Sequence, residues 1–281
     1  MKIRNAVTLA LASTGLIGTG WWIGYNVNLL PEVASSNASV YDDLFKVLFS
    51  IGAALFLGIA IILIYSLVRF RRPAADFGDG LPVEGNLPLE IVWTAIPAVV
   101  VLFVGIYSYD IYERMGGMVT LHDHSSMAMS SSAMSSTAMT PPQQGEPRYW
   151  GGISPASDPG ASPALPVDVT AMQFAFIFHY PEGNITSGEL HVPVGQPVEL
   201  RMEARDVIHA FWVPQFRLKQ DVIPGQPTLL SFTPTKPGTY PIVCAELCGP
   251  YHGGMRSSVV VQEPEAFQAW VDQNRQPSTT A

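Results

Sequence analysis

The stretch VLFSIGAALFLGIAIILIYSLV, residues 47–68, carries no charged side chain and is bounded by Lys46 and Arg69. A bilayer core of roughly 30 Å needs about 20 apolar residues of helix, so this stretch reads as a membrane span. Working outward, Ile91–Tyr109 is a second uncharged run of similar character, and Ala6–Leu30 is a third, preceded by Lys2 and Arg4. A basic N-terminus ahead of an apolar region is the pattern of a secretory signal. Trp21, Trp22 and Tyr25 have instead the character of interfacial anchors. The sequence leaves both readings of residues 1–34 open, a cleaved signal peptide or a retained membrane anchor. Residues 40–112 form a transmembrane helical hairpin in either case.

Orientation follows from the basic residues. Arg69, Arg71 and Arg72 cluster at the end of the first span of the hairpin and place that end in the cytoplasm. Pro73 stops the helix there. The returning span then puts everything after about residue 112 on the outer side.

Residues 113–145 are a linker rich in Met, Ser and Ala, with the composition of a flexible tether. Met115, Met118, Met127, Met129, Met134 and Met139 stand beside His122 and His124. Thioethers are soft Cu(I) ligands, so the segment reads either as a copper-handling tether or as low-complexity drift.

Residues 146–281 read as one β domain. Val198, Leu200 and Met202 alternate with Glu199, Arg201 and Glu203, the signature of a half-buried strand. Further strands are expected at Val167–Tyr180, Glu189–Val192, Val207–Val213, Thr228–Thr233, Thr239–Val243 and Ser257–Val261. Gly- and Pro-containing turns separate most of them, including Val194-Gly195 and Pro224-Gly225. Glu263–Asn274, with Phe267, Trp270 and Val271 on one side, reads as a closing helix. The fold class is thus α+β: two or three transmembrane helices followed by an outer β sandwich or barrel. Residues 146–281 carry 13 Asp and Glu against 8 Lys and Arg, a net of −5; an acidic face repels nucleic acid and suits a basic soluble partner, and the same charge also serves plain solubility.

The only two cysteines fall in Cys244-Ala245-Glu246-Leu247-Cys248-Gly249-Pro250-Tyr251-His252-Gly253-Gly254-Met255. An outer compartment permits a disulfide, but so short a loop stabilises little on closure, and a disulfide leaves His252 and Met255 unexplained. Thiolate, imidazole and thioether together are a copper-favouring donor set, whereas zinc has no call for Met255. Cys244, Cys248, His252 and Met255 would serve one copper. Adding His209, from an apolar strand upstream, and a backbone carbonyl between the cysteines makes six donors, enough for two coppers sharing both thiolates.

The pattern Cys-x-Glu-x-Cys-Gly-x-x-His-x-x-Met resembles the dinuclear copper A motif of cytochrome c oxidase subunit II. Two membrane helices followed by an outer domain resemble that family over nearly the whole chain. The resemblance implies a cupredoxin-like copper A domain in which Cys244 and Cys248 bridge two coppers and His209 and His252 ligate one each. Met255 and the Glu246 carbonyl would be weak ligands. It further implies that the Glu246 side chain reaches a magnesium ion shared with subunit I. Glu90, at the mouth of the last span, occupies the place of a family glutamate near a proton path, although a carboxylate at a helix N-terminus is also favoured by the dipole.

The chain departs from the family where electrons enter. Many members carry a tryptophan-rich stretch, but Gln173-Phe174-Ala175-Phe176-Ile177-Phe178-His179-Tyr180 has no Trp. Phe174 would hold the electron-receiving position, with Trp212 as a substitute. The phenylalanine version is similar to the cyanobacterial branch, which implies a plasma or thylakoid membrane and a soluble c-type cytochrome or plastocyanin as donor. The resemblance implies an electron-entry subunit of a respiratory haem-copper oxidase, embedded in lipid. It would pass single electrons to haem in subunit I, with subunit III a further partner. Oxygen would be reduced in another subunit. The competing reading is a membrane-tethered copper storage or transfer protein, favoured by the Met/His linker and disfavoured by a donor set built to hold its metal.

Overall fold

The computed structural model describes residues 3–71, 78, 82, 84–115 and 164–275. The Met/His linker and the first part of the expected outer domain, residues 146–163, lie outside the described residues. The chain divides into two compact units, residues 1–30 with 41–111 and residues 31–40 with 112–281.

The first unit is helical. Helices α1 (Ile3–Asn26), α2 (Ser36–Arg69) and α3 (Leu87–Arg114) are each long and apolar enough to cross a bilayer. Their large apolar side chains, such as Phe56, Ile62, Val99 and Leu102, point outward rather than into a protein core. Lipid is the solvent that satisfies such a surface, and a helix satisfies its own backbone within it. α2, at 34 residues, extends about 50 Å at 1.5 Å per residue. Its polar opening turns, with Asp42, Asp43 and Lys46, therefore reach beyond the hydrocarbon. Gly20 and Gly24 lie one turn apart on α1 and meet α2 so closely that a Cβ on Gly20 would sit 2.7 Å from the Ala54 methyl. Small residues at this spacing let two helices approach in a membrane, where packing drives association.

The second unit is a sandwich of two five-stranded sheets. Its strands are β1 (Leu165–Met172), β2 (Ala175–Tyr180), β3 (Ile185–Ser187), β4 (Leu190–Pro193), β5 (Val198–Ala204), β6 (His209–Val213), β7 (Leu218–Val222), β8 (Thr228–Phe232), β9 (Gly238–Cys244) and β10 (Arg256–Gln262). One sheet runs β3-β2-β1-β5-β8 and the other β4-β10-β9-β6-β7. The β1–β5 and β4–β10 pairs are parallel and the others antiparallel. Alternate residues of the two inner faces form the core, with Phe176, Phe178, Leu200, Phe211, Leu230 and Ile242 fully buried. Helix α4 (Pro264–Asn274) closes the domain through Phe267, Trp270 and Val271, as the sequence pattern requires.

The structure corrects one expected strand. Val167–Tyr180 is not continuous: it is a hairpin that turns at Gln173-Phe174 and pairs Met172 with Ala175. No Gly, Pro or Asn marks this turn. It is held from a distance, by the Asp206 carboxylate accepting the Gln173 N–H at 2.6 Å.

The α1–α2 connection belongs to the β domain. Ala34 is 0 % exposed within the domain's apolar core. The Ala34 N–H donates to the Gln215 carbonyl, and the Ala34 carbonyl accepts from Thr235. The Ser35 hydroxyl donates to the Phe216 carbonyl at 3.0 Å, and the Arg217 guanidinium donates to the Pro31 carbonyl at 2.6 Å. Glu32 pairs with Lys236. Sequence periodicity could not show this, because the segment pairs with residues some 200 positions away.

Candidate metal centre

Strand β6 opens on His209 and strand β9 ends on Cys244, and the two strands are neighbours with Phe211 opposite Cys244. The loop that follows β9 curls back under Cys244. Its closing hydrogen bond runs from the Cys244 N–H to the Met255 carbonyl at 3.1 Å, and Ala245 N–H donates to the Ala210 carbonyl. Sheet pairing thus delivers His209 to a loop that already carries the other donors.

The geometry divides evenly between the two sulfurs. Both cysteines are free and buried, with Sγ atoms 3.8 Å apart. Cys244 Sγ lies 3.9 Å from His209 Nδ1 and 3.3 Å from the Glu246 carbonyl oxygen. Cys248 Sγ lies 3.5 Å from His252 Nδ1 and 3.8 Å from Met255 Sδ. Each thiol therefore has one imidazole and one weaker donor. His209, Cys244 and Cys248 lie close enough together to share an ion.

Electrostatics ask for a cation here. Burial pushes the Cys248 thiol up to about 11, and the adjacent Cys244 adds to the rise. Two neighbouring thiolates are stable in such a place only with positive charge between them, and a bound metal ion supplies it. The soft donors fit copper.

A supporting layer was not foreseen from the sequence. Asp206 Oδ1 lies 2.8 Å from His209 Nε2, so the Nε2–H donates to the carboxylate and Nδ1 is turned to the sulfurs. Burial raises the Asp206 carboxyl, but hydrogen bonds from His209 and from the Gln173 and Val207 N–H groups outweigh it and hold it below the usual value. The Gln173 side-chain amide donates to the Cys248 carbonyl at 2.6 Å. Gln173 therefore ties both ligand-bearing segments together. The one sequence signal for Asp206 is its position three residues before His209; Gln173 had none.

The remaining expected residues fall in three places. Phe174 packs against the core and meets the Tyr251 ring edge-on at 5.4 Å. Trp212 is 39 % exposed on the face of β6 opposite His209. Glu90 lies in the first turn of α3, where its Oε1 accepts the Asn86 N–H at 3.1 Å while Asn86 Oδ1 accepts the Leu89 N–H. That is a reciprocal helix cap, and it explains the carboxylate locally.

The fold and the site define a membrane-anchored β-sandwich protein with a soft-metal centre in its outer domain. Family models for cytochrome c oxidase subunit II match residues 21–111 as the transmembrane domain and residues 184–263 as the periplasmic domain. The chain is 51 % identical over 276 residues to cytochrome c oxidase subunit 2 of Thermostichus vulcanus, covering 92 % of this chain and 82 % of that one. It is 44 % identical over 279 residues to the Synechocystis subunit 2, covering 98 % and 84 %. The solved periplasmic domain of subunit II of the Bradyrhizobium japonicum cytochrome oxidase aligns at a TM-score of 0.38 and 30 % identity, covering 41 % of this chain and 96 % of that one. The chain belongs to the cytochrome c oxidase subunit II family. It is an integral membrane protein with a C-terminal periplasmic domain, and it is the copper-binding electron-entry subunit of a haem-copper oxidase, working with the other oxidase subunits.

Proposed function

We propose that the centre would hold two copper ions, with Cys244 and Cys248 shared between them, His209 and His252 serving one each, and Met255 and the Glu246 carbonyl as weak donors on opposite sides. The observation that carries this is the even division of donors: each sulfur has its own imidazole and its own weak donor. Copper bound there supplies one-electron redox chemistry, shared so that little rearrangement accompanies it. The chain's own part is to hold the donors still. Asp206 fixes the His209 tautomer, Gln173 pins the Cys248 carbonyl, and the buried sulfurs exclude water.

On this reading single electrons come from a soluble carrier, a c-type cytochrome or plastocyanin, through the Phe174 side of the loop and leave toward haem in subunit I. The Glu246 side chain would hold magnesium with subunit I, Glu90 would lie at a proton entrance, and subunit III would be a further partner. Electron paramagnetic resonance on the full copper-loaded chain tests the centre. An unpaired electron coupled equally to two copper nuclei is expected; coupling to one copper alone rejects the dinuclear assignment.

A further inference from the structure

The copper loop carries two large exposed side chains. Tyr251 is 72 % exposed and Leu247 is 80 % exposed. Tyr251 is covalently joined to His252, and its ring meets Phe174 edge-on at 5.4 Å. Phe174 in turn presses on the loop. A Cβ at Gly249 would lie 3.3 Å from the Phe174 ring and 2.8 Å from Gln173 Nε2, so glycine is what lets the ring and the loop touch. Gln173 completes the contact through its bond to the Cys248 carbonyl. Surface, aromatic pair and ligand loop are therefore continuous, with Tyr251 outermost. Trp212 lies on the face of β6 away from His209.

From this geometry we propose that Tyr251 is the residue on which the electron donor docks and through which the electron enters, with Leu247 a second exposed apolar side chain of the same loop. The proposal rests on the copper reading above. The partner it fits is a soluble one-electron carrier whose contact face is apolar at the centre and basic around it. Glu246 lies in the loop and Asp206 three residues before His209, Lys219 is paired with Asp221 at 2.7 Å, Arg256 is turned to the Gly253 carbonyl at 3.3 Å, and residues 146–281 carry 13 acidic against 8 basic side chains. Tyr suits the position because one ring supplies a large rigid contact at small entropic cost and aromatic anchors dominate the centres of interfaces. One electron leaves the reduced carrier and is taken up at the metal site. No bond forms or breaks, and Tyr251 keeps its own electrons.

The test uses the assembled oxidase with Tyr251→Leu and Tyr251→Phe. Docking is measured with oxidised c-type cytochrome on fully oxidised complex, where no electron can move, and electron uptake is measured separately by rapid mixing with reduced cytochrome. Tyr251→Leu is expected to weaken docking about fivefold and slow uptake at least tenfold, with the copper resonance spectrum unchanged. Tyr251→Phe is expected to stay within about twofold of wild type, because the ring is kept. Docking by Tyr251→Leu equal to wild type overturns the proposal, as does a changed copper spectrum, which would make the ring a support of the loop. Failure of the copper reading shows differently, as a wild-type spectrum without two coupled coppers, and leaves the docking comparison standing.

Discussion

Asp206 Oδ1 and His209 Nε2 stand 2.8 Å apart, on the side of the imidazole away from the two thiols. The carboxylate holds the Nε2–H and so leaves Nδ1 as the only nitrogen that faces sulfur. Replacing Asp206 by Ala frees the ring to turn. Copper affinity measured by chelator competition is expected to fall 10- to 100-fold, while Asp206→Asn, which keeps an acceptor, loses less. Equal affinity in the Ala variant would show that strand pairing alone orients His209.

Gly249 has φ of +132°, and a side chain there would run into Gln173 and Phe174. Gly249→Ala is expected to cost on the order of 1–3 kcal/mol of outer-domain stability. Thermal melting with and without copper checks this. The melting point should drop in both states, and copper occupancy should fall because Cys248 adjoins the displaced backbone.

His191 stacks on Trp270 at 4.2 Å and bonds Gln262, anchoring α4 to β4. Burial lowers its pKa, with the Gln262 hydrogen bond and the nearby Glu189 opposing the shift. The folded state therefore favours neutral His191, and the unfolded chain binds the proton first. Stability is full above the ordinary value of 6.5 and is lost as pH falls from there through the lower folded value. Melting curves between about pH 5 and 8 should show this decline, and His191→Phe, which keeps a stacking ring and cannot titrate, should flatten it.

Glu90 separates its two possible duties by substitution. Glu90→Gln keeps an oxygen to accept the Asn86 N–H, whereas Glu90→Ala loses it. Assembly of the Gln variant at wild-type level with turnover lowered severalfold is expected if the carboxyl carries protons. Wild-type turnover in the Gln variant would assign Glu90 to the helix cap alone.

Cleavage between Ala34 and Ala38 would cut through a segment buried in the outer domain and detach α1 from its close packing on α2. The mature chain is therefore expected to keep α1, which intact-mass measurement of the purified subunit decides. Gly24→Leu, which puts a side chain where the Ser50 hydroxyl lies, should loosen α1 and lower the yield of assembled protein.

The membrane spans and the donor loop were legible because their signals are local. Length and lack of charge mark a span such as Val47–Val68 whatever surrounds it, and a ligand run from Cys244 to Met255 is fixed by covalent spacing. The hairpin at Gln173-Phe174 and the seating of Ala34 were not legible, because their partners lie far away along the chain and no turn residue announces the hairpin.

Residue order alone specifies the class: helices that only lipid can solvate, an alternating β domain, and a loop holding two thiols, an imidazole and a thioether. Tertiary structure decided the rest. The β6–β9 pairing brings His209 to the loop, Asp206 and Gln173 lock it from 3 to 75 residues away, and the Phe174 ring is laid against Gly249 and Tyr251 of the loop. The physical reason is that donor identity is written residue by residue. Donor position depends on which strands lie side by side, and that is settled only when the whole sandwich buries its core.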